Sequence, residues 1–130
     1  MKLLIVDDDK TSGEFLLKVL SEYGHCDIAI DGIEAVDAFI MAHDEGAPYD
    51  LISLDLMLPL LDGESVLAAI RRIENERKIE IPKRVRVVVT SALNDNDLTE
   101  SLKKFGIDKY FIKPIDIAQM RSYFSSISGQ

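Results

Sequence analysis

The stretch that decides the fold is Leu3–Lys10, LLIVDDDK. An unbroken apolar run from Leu3 to Val6 stops against three aspartates, Asp7, Asp8 and Asp9. A run of this kind suits a strand covered on both faces, as in a parallel sheet. The aspartates then stand at the carboxyl end of a buried strand. Four more segments have strand character beside Lys2–Val6: His25–Ile30, Leu51–Leu54, Arg84–Thr90 and Lys109–Ile112. Val85, Val87, Val88 and Val89 make the fourth nearly continuous in β-branched residues.

Helical spacing fills the gaps. Phe15, Leu16, Val19 and Leu20 form one set, and Ile33, Val36 and Ile40 the next. Val66, Leu67, Ile70 and Ile73 form a third, Leu98, Leu102 and Phe105 a fourth, and Met120, Phe124 and Ile127 a fifth. Gly24 and Gly106 fall where left-handed helix caps belong. Asn94 or Asp95 is placed to cap the fourth helix. The polar segment from Asn75 to Lys83, with Pro82, reads as an elongated loop or frayed helix end. Ser125–Gln130 reads as a loosely ordered tail. A strand–helix unit repeated five times predicts an α/β domain with a parallel sheet between two layers of helices.

The chain has 130 residues, a length that suits one domain over 1–130. Its net charge of −8 argues against direct nucleic acid binding, which requires a basic surface. Arg71, Arg72, Arg77, Lys78, Lys83, Arg84 and Arg86 do cluster, and they read as a solvated helix face and loop. Cys26, the only cysteine, reads as a small core residue. No stretch is long and apolar enough for membrane insertion, and the chain starts directly on a strand without a secretory leader. A cytoplasmic setting is the expectation.

Chemistry gathers at the strand ends. Asp7, Asp8 and Asp9 end the first strand, Asp55 the third, Thr90 and Ser91 the fourth, Lys113 and Pro114 the fifth. Ligands of such sheets bind outside the carboxyl ends of the strands. Two carboxylates about 4 Å apart repel by roughly 4 kcal/mol at an effective dielectric near 20. Gathered acids therefore call for a cation. A hard divalent ion that keeps waters and shares ligands with phosphate, such as magnesium, fits best. Lys113 adds a point charge for phosphoryl oxygens and Thr90 a hydroxyl donor. Together these residues describe phosphoryl transfer to or from an acid. Asp9 has a simpler use as a helix cap.

At this point four segments carry a resemblance: LLIVDDD, DLMLPLLDG, VVVTSA and YFIKP, in order and at suitable intervals. The chain resembles the receiver domain of two-component response regulators, over nearly its whole length. That family implies a flavodoxin-like (βα)5 three-layer sandwich with strand order 2-1-3-4-5. The order is carried over from the family, whose chemotaxis member is a stock example of it, and is not read from spacing. The resemblance further implies that Asp55 accepts a phosphoryl group from a sensor histidine kinase or phosphotransfer protein. Asp7, Asp8, Asp55 and the backbone carbonyl of Met57 would hold magnesium, with manganese as its substitute. Lys113 would contact the phosphoryl group, Thr90 would move onto it, and Tyr110 would change rotamer with Thr90. The helix 4–strand 5 face would then bind a downstream partner. The Lys113–Pro114 bond is expected to be cis. Pro59, Asp62 and Gly63 shape the loop into the third helix, Asp62 as a turn former or cap. Met57 and Ala92 depart from the best-known members by being apolar, which implies slow self-dephosphorylation.

Two other readings compete. VDDDKT also fits the D-x-D-x-T pattern of haloacid dehalogenase-like phosphatases, with Asp7 as nucleophile, Asp9 as acid/base, and Thr90 and Lys113 on the phosphate. Such enzymes require a later acidic pair, and only Asp116 follows Lys113 closely. That reading also leaves Asp55 without a task. The other is a receiver-fold binding module that works without phosphorylation.

Overall fold

A computed structural model describes residues 1–92 and 96–128. The elements alternate as expected: β1 Lys2–Val6, α1 Lys10–Leu20, β2 His25–Ala29, α2 Gly32–Asp44, β3 Leu51–Asp55 and α3 Gly63–Glu76. A short 3-10 turn, Ile81–Lys83, precedes β4 Arg86–Ser91. Helix α4 Asn96–Lys103, β5 Lys109–Ile112 and α5 Ile117–Ser128 complete the chain. All strand pairs are parallel, and the order is β2-β1-β3-β4-β5.

The alternation of side chains along each strand divides the interior in two. Leu4, Val6, Ile52, Leu54, Val87 and Val89 face α2, α3 and α4. Leu3, Ile5, Leu51, Val88 and Phe111 face α1 and α5. The same parity carries Asp7, Asp55, Thr90 and Lys113 to the α1/α5 side at the carboxyl edge. Aspartates set the helix starts. Asp9 accepts from the Thr11 N–H and the Ser12 hydroxyl, Asp31 from the Glu34 N–H, and Asp62 from the Ser65 N–H. Each satisfies donors that a helix start leaves orphaned.

Several expectations need correction. Helix α2 buries Ala35, Phe39 and Ala42, while Ile33 is exposed and Val36 and Ile40 are only half-buried. Its small alanines let the helix lie close to the sheet, and the isoleucine stripe rotates outward. Gly24 is not a left-handed cap: α1 ends at Leu20 with Ser21 as its cap, and a Cβ at Gly24 would run into the Met1 carbonyl. Gly106 does take the left-handed conformation, with φ at +73°. Strand β2 ends at Ala29, one residue early, and β4 starts at Arg86 because the Val85 N–H is taken by a Glu74 carboxylate oxygen. Of the tail expected over Ser125–Gln130, Ser125–Ser128 continue α5, because Phe124 is fully buried and Ile127 packs on the α1/α5 core, and Gly129 and Gln130 lie outside the described residues. Cys26 is half-buried on the edge strand. The capping residues expected for α4, Asn94 and Asp95, lie outside the described residues.

Candidate functional site

Register builds the site. Val6 pairs with Leu54, so Asp7 continues level with Asp55, and Asp55 itself pairs with Thr90. Ser91 pairs with Ile112, which sets Lys113 just beyond the edge. Residues 106 positions apart in the chain thereby touch. Lys113 Nζ lies 3.3 Å from an Asp7 carboxylate oxygen and 3.2 Å from one of Asp55. Carboxylate oxygens of Asp7, Asp8 and Asp55 all lie within 4.8 Å of one another. Asp7 and Asp55 are 1% and 5% exposed, whereas Asp8 is open to solvent.

Each buried acid also has one backbone donor. The Asp9 N–H reaches Asp7 at 3.0 Å, and the Met57 N–H reaches Asp55 at 3.0 Å. These bonds fix the carboxylates without neutralising them. One lysine faces two buried acids and a third at the rim, so negative charge remains in excess. Burial raises the Asp7 carboxyl above its ordinary value, against the lowering pull of the Asp9 N–H and Lys113. Burial works to lower the Lys113 pKa, but the attraction of Asp55 and Asp7 outweighs it and the net shift is upward. The ammonium is therefore retained.

The Thr90 hydroxyl is completely buried and has no hydrogen-bond partner among the described residues. Such a group costs about 1–3 kcal/mol unless something bonds it. Ser53, two residues before Asp55 on the same face of β3, is a second buried hydroxyl without a partner among them. It was missed at the level of sequence, although a serine inside LISLD is itself the signal. An excess of carboxylate oxygen beside an orphaned donor suits a hard cation together with an oxyanion.

The loop leaving β3 supports Asp55 from behind. Gly63 N–H bonds back to the Leu56 carbonyl at 3.1 Å, and an added Cβ at Gly63 would lie 2.7 Å from the Asp55 carbonyl. At the tip Leu60 is 77% exposed with φ at +67°, a conformation that side chains seldom adopt. The Lys113–Pro114 bond is cis. Met57 and Ala92 both present exposed side chains at the rim.

Asp9 is engaged as the α1 cap, as its place in the sequence predicts. One expected switch residue stands apart from this convergence. Tyr110 pairs with Val89 and packs against the α2–α4 side of the sheet, opposite to the face Thr90 shares. Thr90 and Tyr110 are therefore not side-by-side neighbours on one face.

No helix among the described residues is long and apolar enough to cross a membrane. The response regulator receiver domain model matches residues 3–125. The chemotaxis protein CheY of Treponema pallidum is 27% identical over 97% of this chain and 81% of its own length. The transcriptional regulatory protein CusR of Escherichia coli is 33% identical over 92% of this chain. The chain spans 48% of that regulator, about half its length. Among solved structures, the receiver domain of the sensor histidine kinase PA1611 of Pseudomonas aeruginosa holds a magnesium ion coordinated in its active site cleft. It is 28% identical, covers 99% of this chain and 98% of its own, and superposes with a TM-score of 0.76. Flavodoxin-like topology, an acidic cleft at the strand ends and a family match over almost the entire sequence agree: the chain belongs to the response regulator receiver domain family.

Proposed function

We propose that Asp55 is the phosphoryl acceptor of this receiver domain, taking the group from the phosphohistidine of a sensor histidine kinase or phosphotransfer protein. The observation that carries this reading is the position of Asp55. It is buried, held by the Met57 N–H and Lys113, and in register with the orphaned Thr90 hydroxyl.

The chemistry follows from the residues present. An ionised Asp55 oxygen forms the new O–P bond as the donor's N–P bond breaks, so no general base is required. Lys113 offsets charge that gathers on the transferring oxygens. Asp7, Asp8, Asp55 and the Met57 carbonyl would hold magnesium, or manganese in its place. Such an ion, when bound, supplies neutralisation of phosphoryl oxygens. The product on Asp55 is an acyl phosphate carrying close to two negative charges.

That charge gives Thr90 the acceptor its hydroxyl lacks among the described residues. Tyr110 faces the other side of the sheet, so any coupling of it to Thr90 is indirect. The α4–β5 face then changes for a downstream partner. Moving such a balance from 1:99 to 99:1 takes about 5.5 kcal/mol. Several charge-assisted bonds to one phosphoryl group are of that order. Apolar Met57 and Ala92 at the rim are two side chains unable to position an attacking water, so the acyl phosphate turns over slowly. A lifetime of only seconds would contradict this last point. We infer a cytoplasmic protein that acts through protein partners rather than by binding nucleic acid directly.

Incubation with acetyl phosphate and magnesium, followed by mapping of the modified residue, tests the assignment. Label on Asp55 supports it. Label on Asp7 would point instead to the dehalogenase-like hydrolase, a reading already weakened by the engagement of Asp9 as a cap. No labelling and no beryllofluoride-dependent amide shift would indicate a binding module that ignores phosphate.

A further inference from the structure

The opposite end of the sheet carries a feature that phosphoryl transfer does not use. A cavity of about 710 Å³ opens between α3, the turn before β4 and the α4–β5 connection. A second, of about 650 Å³, adjoins it through Pro82, Arg84 and Arg86 and extends to the end of α5. In a chain of net charge −8 their shared wall is basic. Lys83, Arg84, Arg86 and Lys104 line the pair and form no ion pair with a carboxylate among the described residues. Arg72 adds a cation held only loosely by Glu76, at 3.9 Å.

Two acids also line the walls and keep their charge: Asp108, which accepts from the Val87 N–H, and Asp50, which accepts from the Lys2 N–H. The lining cations Arg72, Lys83, Arg84, Arg86 and Lys104 outnumber them, and Glu74 is buried against Arg71 and the Val85 N–H. The groove is also partly apolar. Ile81 stands 77% exposed at its lip, and Phe105 lies beneath Lys104, whose Nζ is 5.1 Å from the ring centroid. Its walls are stiff, because Arg71 bonds the carbonyls of Val85, Phe105 and Gly106 at 2.9, 2.7 and 3.2 Å.

We propose that this groove is a docking site for an acidic, partly apolar segment of a partner protein. Charge complementarity selects an anion. Exposed Ile81 and the Phe105 floor select one that also carries apolar side chains. Cavities of this size accommodate a ligand or short peptide stretch. Charges are screened beyond about 8 Å at physiological ionic strength, so a short acidic segment feels the groove and not the net charge. A nucleic acid strand would run past the groove onto the acidic remainder of the surface. The site stands four residues down β4 from Thr90, about 13 Å at the usual strand rise. Its occupancy does not depend on the phosphoryl chemistry, and the inference survives or fails separately from the assignment of Asp55.

The test uses the full chain and a short fluorescein-labelled peptide of Glu, Asp and Leu, read by anisotropy at physiological salt. Saturable binding is expected, with amide shifts at Arg72, Lys104 and Phe105. The Arg72→Glu/Lys104→Glu variant should weaken it by at least about tenfold, a difference of 1.4 kcal/mol. Lys18→Glu, on α1, should leave it unchanged. Arg72→Gln/Lys104→Gln should give a smaller loss in the same direction, and it carries the test if the reversed pair does not fold. Four results would each overturn the proposal. These are absence of binding, equal binding of a Gln, Asn and Leu peptide, equal loss in Lys18→Glu, or tighter binding of a single-stranded oligonucleotide of matched charge.

Discussion

Both ends of the sheet bury carboxylates, and they treat them in opposite ways. At the amino end, Glu74 is completely buried, with one oxygen 2.7 Å from Arg71 and the other accepting the Val85 N–H at 2.8 Å. Arg71 gives three further bonds to backbone carbonyls. Both oxygens of Glu74 are thereby paired. At the carboxyl end, Asp7 and Asp55 share Lys113 with each other, and Thr90 is orphaned beside them. One end is compensated and ties α3 to β4 and the turn before β5. The other keeps charge and hydrogen-bonding capacity in reserve for something that arrives. Burial of an acid thus does not by itself mark function, whereas incomplete compensation of it does.

That contrast can be broken most directly at Asp55. Asp55→Asn is expected to abolish acetyl phosphate-dependent labelling, a loss of at least about 100-fold, while denaturant unfolding shifts by less than about 1 kcal/mol. Retained labelling would show that the reserve lies elsewhere. The reciprocal change is Glu74→Ala. It leaves half-buried Arg71 without its carboxylate partner and the Val85 N–H without an acceptor, and should cost about 3–5 kcal/mol in urea unfolding, with labelling of Asp55 retained. A cost below about 1 kcal/mol would mean that the amino end is not the compensated anchor described.

Divalent ions sharpen the comparison next. Magnesium should stabilise the wild type by about 2.7 kcal/mol at one hundred times its dissociation constant, read as a rise in thermal midpoint. Asp8→Asn should remove most of that rise, and Glu74→Gln should not alter it. Thr90→Val should have a smaller effect of opposite sign. Replacing an orphaned hydroxyl by a methyl group of the same shape is expected to stabilise the unphosphorylated protein by about 1 kcal/mol, while beryllofluoride-induced amide shifts in α4 and β5 diminish.

The carboxyl end was far more legible in the sequence than the amino end, for a physical reason. Strand-end acids stand out because a largely apolar run stops at them, and period-two alternation then puts Asp7, Asp55, Thr90 and Lys113 on one face. Asp9 and Asp62 were readable as caps because a helix start needs a side-chain acceptor. Glu74 was not readable. An Arg and a Glu three apart look like a surface pair, and only the arrival of the Val85 N–H makes the site interior. Likewise the cationic cluster from Arg71 to Arg86 reads as a solvated helix face and loop, yet Arg71 is a half-buried tie and several of its neighbours line a groove. Helix α2 was misjudged because it carries two apolar stripes. Packing distance, which favours Ala35, Phe39 and Ala42 over Ile33 and Ile40, decides between them. The opposite facing of Thr90 and Tyr110 follows from register, which spacing alone does not supply.

A third carboxylate tests whether compensation has a measurable sign. Asp27 on β2 accepts the Tyr49 hydroxyl at 2.7 Å and faces His25 at 3.0 Å. Tyr49 stands in the loop that enters β3, toward the amino end. The Tyr49 hydrogen bond, helped by His25, holds the Asp27 carboxyl below its ordinary value, the reverse of the shift at Asp7. A depressed folded-state pKa adds stability above the unfolded value of 3.8, and that stability is lost as pH falls through the folded value. Tyr49→Phe removes the donor, so the Asp27 carboxyl carbon should titrate at a higher pH, closer to 3.8, in a chemical-shift experiment. The variant should also lose part of its stability advantage between neutral pH and pH 3. Because Asp27 is largely solvated, the change is small, a fraction of a kcal/mol. An unchanged titration would mean that solvent, not Tyr49, sets the Asp27 carboxyl, and that donors for acids toward the amino end are incidental there rather than a property of that half of the sheet.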